Sequence, residues 1–258
     1  METHHPHHIT HKKKWTEYLL EFLMLFLAVF LGFIAENIRE HNVEMQRAKV
    51  LAKNLYKEIY NDSIAVQERI LVRDRKEKEC VYFIDYVKDS NLVKLSSRFY
   101  SAFSWAFIQS QQILFDPNDG ILNQLRNSGE LRYFKNSELQ SVIGQLTVMI
   151  ANIRNRNERE YSFIEDYLRP FTLKYYDFEW YGTVSQHGNL TLFDALKADT
   201  TLVTGKIVNL DKFNRKEAEN TCSYYLLMLR STRKTQYTDY AKINHQLLQK
   251  LREEFKME

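Results

Sequence analysis

Residues 18–40 read YLLEFLMLFLAVFLGFIAENIRE, and Phe22 to Ala35 within them form an uninterrupted apolar run of 14 residues. No other stretch restricts the fold so strongly. A helix that is apolar on every face must be surrounded, either by protein or by lipid. Taken alone the run is short for a membrane span, which needs about 20 residues. Adding Tyr18, Leu19 and Leu20 before Glu21, and Ile38 after Glu36, extends it to about 21 residues, or ~31 Å of helix, close to the thickness of the hydrocarbon core.

A cleaved signal peptide, a core helix and a membrane anchor compete for this stretch. Signal peptidase prefers small residues at −3 and −1, and cleavage after Ala35 would place Phe33 at −3. A core helix is rarely apolar all round over such a length. Ahead of the run stand Lys12, Lys13, Lys14 and Trp15, a basic cluster followed by an interfacial aromatic, as at one edge of a span. The expectation is therefore an uncleaved signal anchor in contact with the lipid bilayer. Residues 1–14 form a His/Lys-rich cytoplasmic tail, 15–39 the transmembrane helix, and 40–258 an extramembrane domain. The three upstream lysines are clustered, whereas Arg39, Arg47 and Lys49 are spread out. The positive-inside rule then places the tail in the cytoplasm and the body in the periplasm.

The carboxylates in the span need an explanation. With the span centred between Glu21 and Glu36, each lies roughly 11 Å from the midplane, near enough to reach towards headgroups. At about 100° per residue, Glu21, Leu25, Ala28, Gly32, Ala35 and Arg39 fall on one side of the helix. Leu23, Phe26, Leu27, Phe30 and Phe33 occupy the other sides, as lipid contact requires. Ala28-x-x-x-Gly32 is a small-xxx-small step that lets two helix backbones approach. The expected interaction site is this face, with Glu21 turned into a helix bundle. A proton-carrying role for Glu21 would need a partner span.

The 258-residue chain contains only 7 Gly and 3 Pro. Both residues break helices, so their scarcity favours an all-α fold. A net charge of +3 supplies no basic stripe, which argues against a nucleic-acid partner. Cys80 and Cys222 are too few for a disulfide framework and read as buried free thiols. One bridge between them is open only in an oxidising compartment. Five histidines lie within METHHPHHITH, but the Pro-interrupted cluster has no Cys partner and reads as a solvated tail rather than a metal site.

Beyond the anchor, Met45, Ala48, Ala52, Leu55, Ile59, Val66 and Ile70 recur at helical steps, predicting an amphipathic helix over 43–88. Glu40-His41-Asn42 is a candidate break before it. An aromatic helix is expected within 95–115, ended by the DPNDG turn at 116–120, whose acids resemble a fragment of a calcium loop without its distal ligands. Leu122 and Leu125 close a further helix, with Gly129 in the left-handed C′ position. Asn136 or Ser137 caps the next helix, expected to run to Leu168 and stop at Pro170. Residues 171–193 lose the helical period and read as a short irregular or extended segment. Residues 192–208 read as one or two short helices. From about 211 to 256 the chain is again helical, with Tyr237, Tyr240, Ile243, Leu247, Leu251 and Phe255 as its apolar stripe. The fold class is thus an N-terminal transmembrane helix running into a long-helix extramembrane bundle, with no repeat and no Ser/Pro linker.

The order of a basic tail, EYLLEFLMLFLAVFLGFIAENIREH, RAKVLAKNLYKEIYND and LNQLRNSGELRYFKNSELQ resembles an uncharacterised family of single-span membrane proteins common in Bacteroidota, defined by a domain of unknown function. Its members show an L-x-x-E-[IL]-x-x-N element and an L-x-x-[ST]-G-x-L turn. Here these read Leu55-Tyr56-Lys57-Glu58-Ile59-Tyr60-Asn61, one residue short of the pattern before Asn61, and Leu125-Arg126-Asn127-Ser128-Gly129-Glu130-Leu131. The resemblance implies a bacterial inner-membrane protein with a helical periplasmic domain, and it assigns no catalytic residue.

No P-loop, dinucleotide fingerprint, zinc-protease or nucleophile-elbow motif occurs. His187 in SQHGN reads as polar surface. Arg154, Arg156 and Arg159 could meet an anion, but their alternation with Glu158 and Glu160 reads as a salt-laced face. No cofactor, metal or enzymatic activity is expected. The leading expectation is a non-catalytic scaffold or interaction subunit of the cell envelope, self-associating or bound to an envelope partner. The alternative is a tethered ligand-sensing or hydrolytic domain, with the aromatic segment 171–193 lining a pocket.

Overall fold

The structure is a computed structural model that describes residues 14–108, 113–185 (the last three by backbone alone) and 205–257. Every regular element among the described residues is helical. The chain divides into two compact units, Met1–Val50 and Leu51–Glu258.

Helix α1 spans Trp15–Asp89. No Gly or Pro occurs from Phe33 to Asp116, so nothing in the backbone chemistry interrupts it, and Glu40-His41-Asn42 is helical. It ends where Ser90 and Asn91 take over. The Asn91 Oδ1 accepts the Val93 N–H at 2.8 Å, a side-chain turn that competes with helix.

In the second unit α2 (Ser97–Phe107) starts at Ser96, whose hydroxyl accepts the Phe99 N–H at 3.1 Å. Helix α3 (Gly120–Asn127) leads through left-handed Gly129, φ 72°, into a short 3-10 turn. Only glycine holds that backbone without a steric penalty. The cap of α4 (Ser137–Phe163) is Asn136, which accepts from the Glu138 and Leu139 N–H groups at 2.9 and 3.1 Å. Asn214 does the same for α7 (Arg215–Ser231), accepting from Lys216 and Glu217. Between these lie α5 (Arg169–Tyr175) and α6 (Phe178–Ser185); α8 (Thr238–Phe255) closes the chain and packs along α4.

Two expectations fail here. Pro170 does not end the fourth helix. A π turn, Ile164–Leu168, stands directly before it, and Pro170 then sits in the first turn of α5, where its missing N–H is tolerated. Nor is 171–185 an extended or irregular segment. It forms the end of α5 and all of α6, broken only at Tyr176 and Asp177. Its burial does follow a helix, with Phe171, Thr172, Tyr175 and Tyr176 inside. Polarity does not, because Thr172 is buried while Leu173 is 67% exposed. Residues 186–193 lie outside the described residues, as do 192–204 of the expected short helices. Gly205–Val208 are not helical. Gly205 backs onto Tyr100 so closely that a Cβ there would strike its ring.

The core has an aromatic half and a polar half. In the first, Phe83, Phe99, Phe103, Phe107, Phe171 and Tyr176 contact one another edge-on, tilted or stacked, with centroids 4.9–6.4 Å apart. Trp105 is buried beside them, with the Arg75 guanidinium 4.2 Å above its ring.

The polar half lies along α1. Its buried stripe runs Leu55, Ile59, Asp62 and Val66, then turns charged at Arg73, Lys76 and Glu77 before Cys80, Phe83 and Val87. Met45, by contrast, is 38% exposed and Ile70 is not fully buried. Arg73 and Glu160 are both wholly buried and meet in a two-pronged ion pair, with Nη1–Oε1 at 3.2 Å and Nη2–Oε2 at 2.6 Å. Arg73 also donates to the Ile113 carbonyl and to the Tyr237 hydroxyl, each at 3.2 Å. Thr232 donates its hydroxyl proton to Glu160, and Tyr237 accepts the Phe115 N–H at 2.9 Å. Burial, the largest single influence, opposes the charge on Arg73, but Glu160, Tyr237 and Tyr225 together hold the guanidinium above its usual range. At the edge of this region Glu77 accepts both prongs of Arg233, at 2.7 and 2.8 Å.

Breaking a buried pair strands a charge, which costs about 3–5 kcal/mol, whereas removing both charges is far milder. Arg73→Met should therefore destabilise the chain by about that amount, and Arg73→Met combined with Glu160→Gln should recover much of the loss. Urea denaturation followed by circular dichroism measures both. Equal losses in the single and double variants would contradict this account.

Candidate functional site

The face expected to recruit a partner lies on the first stretch of α1. Glu21, Leu25, Ala28, Gly32, Ala35 and Arg39 all belong to this one helix and are all exposed. Helix periodicity places them within about 40° of one direction. A Cβ added at Gly32 would meet nothing within 4 Å, so the small-residue step is open. On the opposite side, Phe22, Phe26 and Phe30 stack in a ladder with centroids 6.4 and 6.0 Å apart. Arg39 holds Glu36 through two contacts, Nε–Oε2 at 2.9 Å and Nη2–Oε1 at 2.5 Å. Its charge is thus offset by a carboxylate three residues back. Of the residues expected at a membrane edge, Lys14 and Trp15 are exposed, Trp15 by 80%. Lys12, Lys13 and the His-rich tail lie outside the described residues.

The acids of the DPNDG turn are taken by a cation of the chain itself. Arg154 reaches Asp116 at 3.0 Å, Asp119 at 2.6 Å and the Pro117 carbonyl at 3.1 Å. From the other side α1 supplies two carboxylates. Asp62, 1% exposed, accepts the Asn118 N–H at 2.9 Å, the Asn118 Nδ2 at 2.5 Å and the Tyr240 hydroxyl at 2.8 Å. Glu58 accepts the Ile121 N–H at the start of α3, at 3.1 and 3.2 Å, where the helix dipole favours an anion. The turn is therefore clamped between α1 and α4. Among the described residues no group of three or more His, Cys, Asp or Glu side chains could hold a metal ion.

Of the three arginines grouped by sequence, Arg154 stands apart, while Arg156 and Arg159 line one groove. Arg154 clamps the turn. Arg156 donates to Thr232 Oγ1 at 2.8 Å and to the Met228 carbonyl at 3.1 Å. Arg159 lines an open groove of about 330 Å³ with Asn152, Asn155, Gln236 and Asp239. His187 lies outside the described residues. Of the aromatic segment proposed as a pocket wall, Phe171, Tyr175 and Tyr176 fill the core, and Trp180 meets Tyr100 edge-on at 4.4 Å.

Sequence reasoning missed the buried polar residues Asp62, Arg73, Lys76, Glu77 and Glu160. The available signal was their position on the apolar stripe. Lys76 is fully buried, its Nζ donating to the Trp105 carbonyl at 2.5 Å and lying 5.2 Å over the Tyr225 ring. Burial brings its ammonium down to about 8. Arg73 is paired with Glu160 and Glu77 with Arg233, whereas Asp62 and Lys76 hydrogen-bond to neutral groups. Comparison with protein-family models, curated proteins and solved structures finds no match for the chain.

Burial raises the Asp62 carboxyl above its usual value of 3.8, against the hydrogen bonds from Tyr240 and Asn118 that favour its charge. A raised folded-state value means that the native protein holds this proton more tightly than the unfolded chain does. Its contribution to stability grows as pH falls through that raised value, and levels off below the usual one. Asp62→Asn keeps one acceptor for Asn118 and abolishes the titration. The stability of the wild type relative to Asp62→Asn should rise from pH 7 to pH 4 (a range set by the direction of the shift), as read from urea midpoints. A flat or falling difference would contradict the assignment.

Proposed function

We propose that this chain is a single-span, membrane-anchored scaffold or interaction subunit of the bacterial cell envelope, non-catalytic and self-associating. The observation that carries the reading is the state of the first part of α1. Every large apolar side chain from Leu19 to Ile38 is at least 39% exposed, and this is the one helix among the described residues long and apolar enough to cross a membrane. Leaving that surface in water would cost of the order of 20 kcal/mol, at roughly 1.5–3 kcal/mol per large side chain. A bilayer removes the cost. The unfavourable −3 residue Phe33 argues for an anchor that is retained. Lys12, Lys13, Lys14 and Trp15 mark its cytoplasmic edge, with residues 40–258 in the periplasm.

The interaction reading draws on the open Ala28–Gly32 step beside Glu21. A second helix seated there would cover the acid and gain close backbone packing. The helical body supports it as well, because its buried charges are committed to internal bonds.

Two measurements test this. In membrane fractions, alkaline carbonate should leave the protein in the pellet and mild detergent should release it; release by carbonate would sink the anchor. Cysteine-free crosslinking in native membranes should trap self-complexes, and Gly32→Leu should cut their yield at least ~10-fold if the packing is close, with Phe30→Leu on the far face neutral. Monomers alone, or wild-type yield from Gly32→Leu, would overturn self-association through this face.

A further inference from the structure

Cys80 and Cys222 are the only cysteines in the chain. Cys80 lies on α1 and Cys222 on α7, 142 positions apart, and both are wholly buried in the same core cluster. The Cys222 Sγ comes within 3.8 Å of the Cys80 carbonyl oxygen, which sets the two residues against one another across the α1–α7 contact. Burial pushes the Cys222 thiol up, while the Lys76 ammonium, one helical turn before Cys80, acts to bring it down. The fold thus places the two cysteines next to one another in a site where burial keeps the Cys222 thiol protonated until the contact opens.

From this placement we propose that Cys80 and Cys222 are a dithiol that closes to a disulfide, cross-linking α1 to α7. The co-reactant is a small-thiol disulfide or a dithiol oxidase. One cysteine thiolate attacks a sulfur of the incoming disulfide, forming a mixed disulfide and expelling one small thiolate. The second cysteine thiolate attacks the protein sulfur of that mixed disulfide and expels the other. The two protein thiols are oxidised, the incoming disulfide is reduced to two thiols, and the two protons pass to the expelled thiolates. Because both sulfurs are shielded, the reaction waits on local opening of the α1–α7 contact and is slow in the folded chain. The inference stands apart from the membrane reading, since it concerns a bond within the second unit.

The test uses the full chain in detergent, reduced, freed of reductant and equilibrated across ratios of reduced to oxidised glutathione. It is then unfolded in maleimide and weighed. The expected product at oxidising ratios carries no maleimide and no glutathione, runs as a monomer on a non-reducing gel, and melts roughly 5–10 °C above the reduced form. Cys222→Ala should keep a single modifiable sulfur and show no such rise. Two maleimides, two glutathione adducts or only intermolecular dimers at the most oxidising ratio would overturn the proposal. Should Cys222→Ala not fold, the mass of the wild type decides alone.

Discussion

The interaction on which the body of this protein depends is the buried contact between Arg73 and Glu160. It joins residues 87 positions apart, and through Ile113 and Tyr237 it gathers two further parts of the chain. Removing two charges from water is expensive, and the geometry offsets this only because nearly every donor and acceptor is used. Such a pair adds little stability over an apolar substitute of the same volume. What it adds is intolerance of misplacement. A shift of α1 against α4 by one residue would leave Arg73 buried away from its carboxylate, while Glu160 would keep only Arg156 and Thr232, so the pair ties α1 to one register.

A second clamp applies the same logic at the DPNDG turn. Asp62 and Glu58 hold its backbone from α1, and Arg154 holds its acids from α4. The turn carries Pro117 and the start of α3, and its path is set by side chains reaching in from long helices. Loops with few internal contacts adopt one path only when such groups tie down their polar backbone atoms. The two clamps share α1 and α4, which is why these helices can carry shorter, more irregular elements around them.

Much of this was legible in the sequence. Glycine and proline scarcity pointed to the all-helical fold, and Gly129, Asn136 and the DPNDG turn sit where turn and cap chemistry puts them. The exposed apolar helix was legible too, since no pattern of polar residues offers it a buried face. What escaped is instructive. Arg73, Lys76 and Glu77 look like surface charge when polarity alone is read, although their spacing continues the stripe of Leu55, Ile59 and Val66. Their partners lie dozens of residues away, where spacing rules say nothing. Thr172 and Leu173 mislead in the opposite sense, one polar inside and one apolar outside. Asp62 reads as one more polar helix position, and its role appears only once Asn118 and Tyr240 are brought against it. The face of Glu21, Ala28 and Gly32 was readable because helix periodicity alone defines it; the hold of Glu36 on Arg39 depends on rotamers, which spacing does not specify.

The placement of the three tryptophans gives the molecule a built-in optical division. Trp15 stands almost fully exposed at the head of the apolar helix, Trp105 is sealed in the core beneath Arg75, and Trp180 leans edge-on against Tyr100. Their emission therefore comes from three unlike surroundings. A quencher dissolved in water would reach the first and leave the second emitting, so the apolar helix and the body can be followed separately in the same cuvette without attaching a dye.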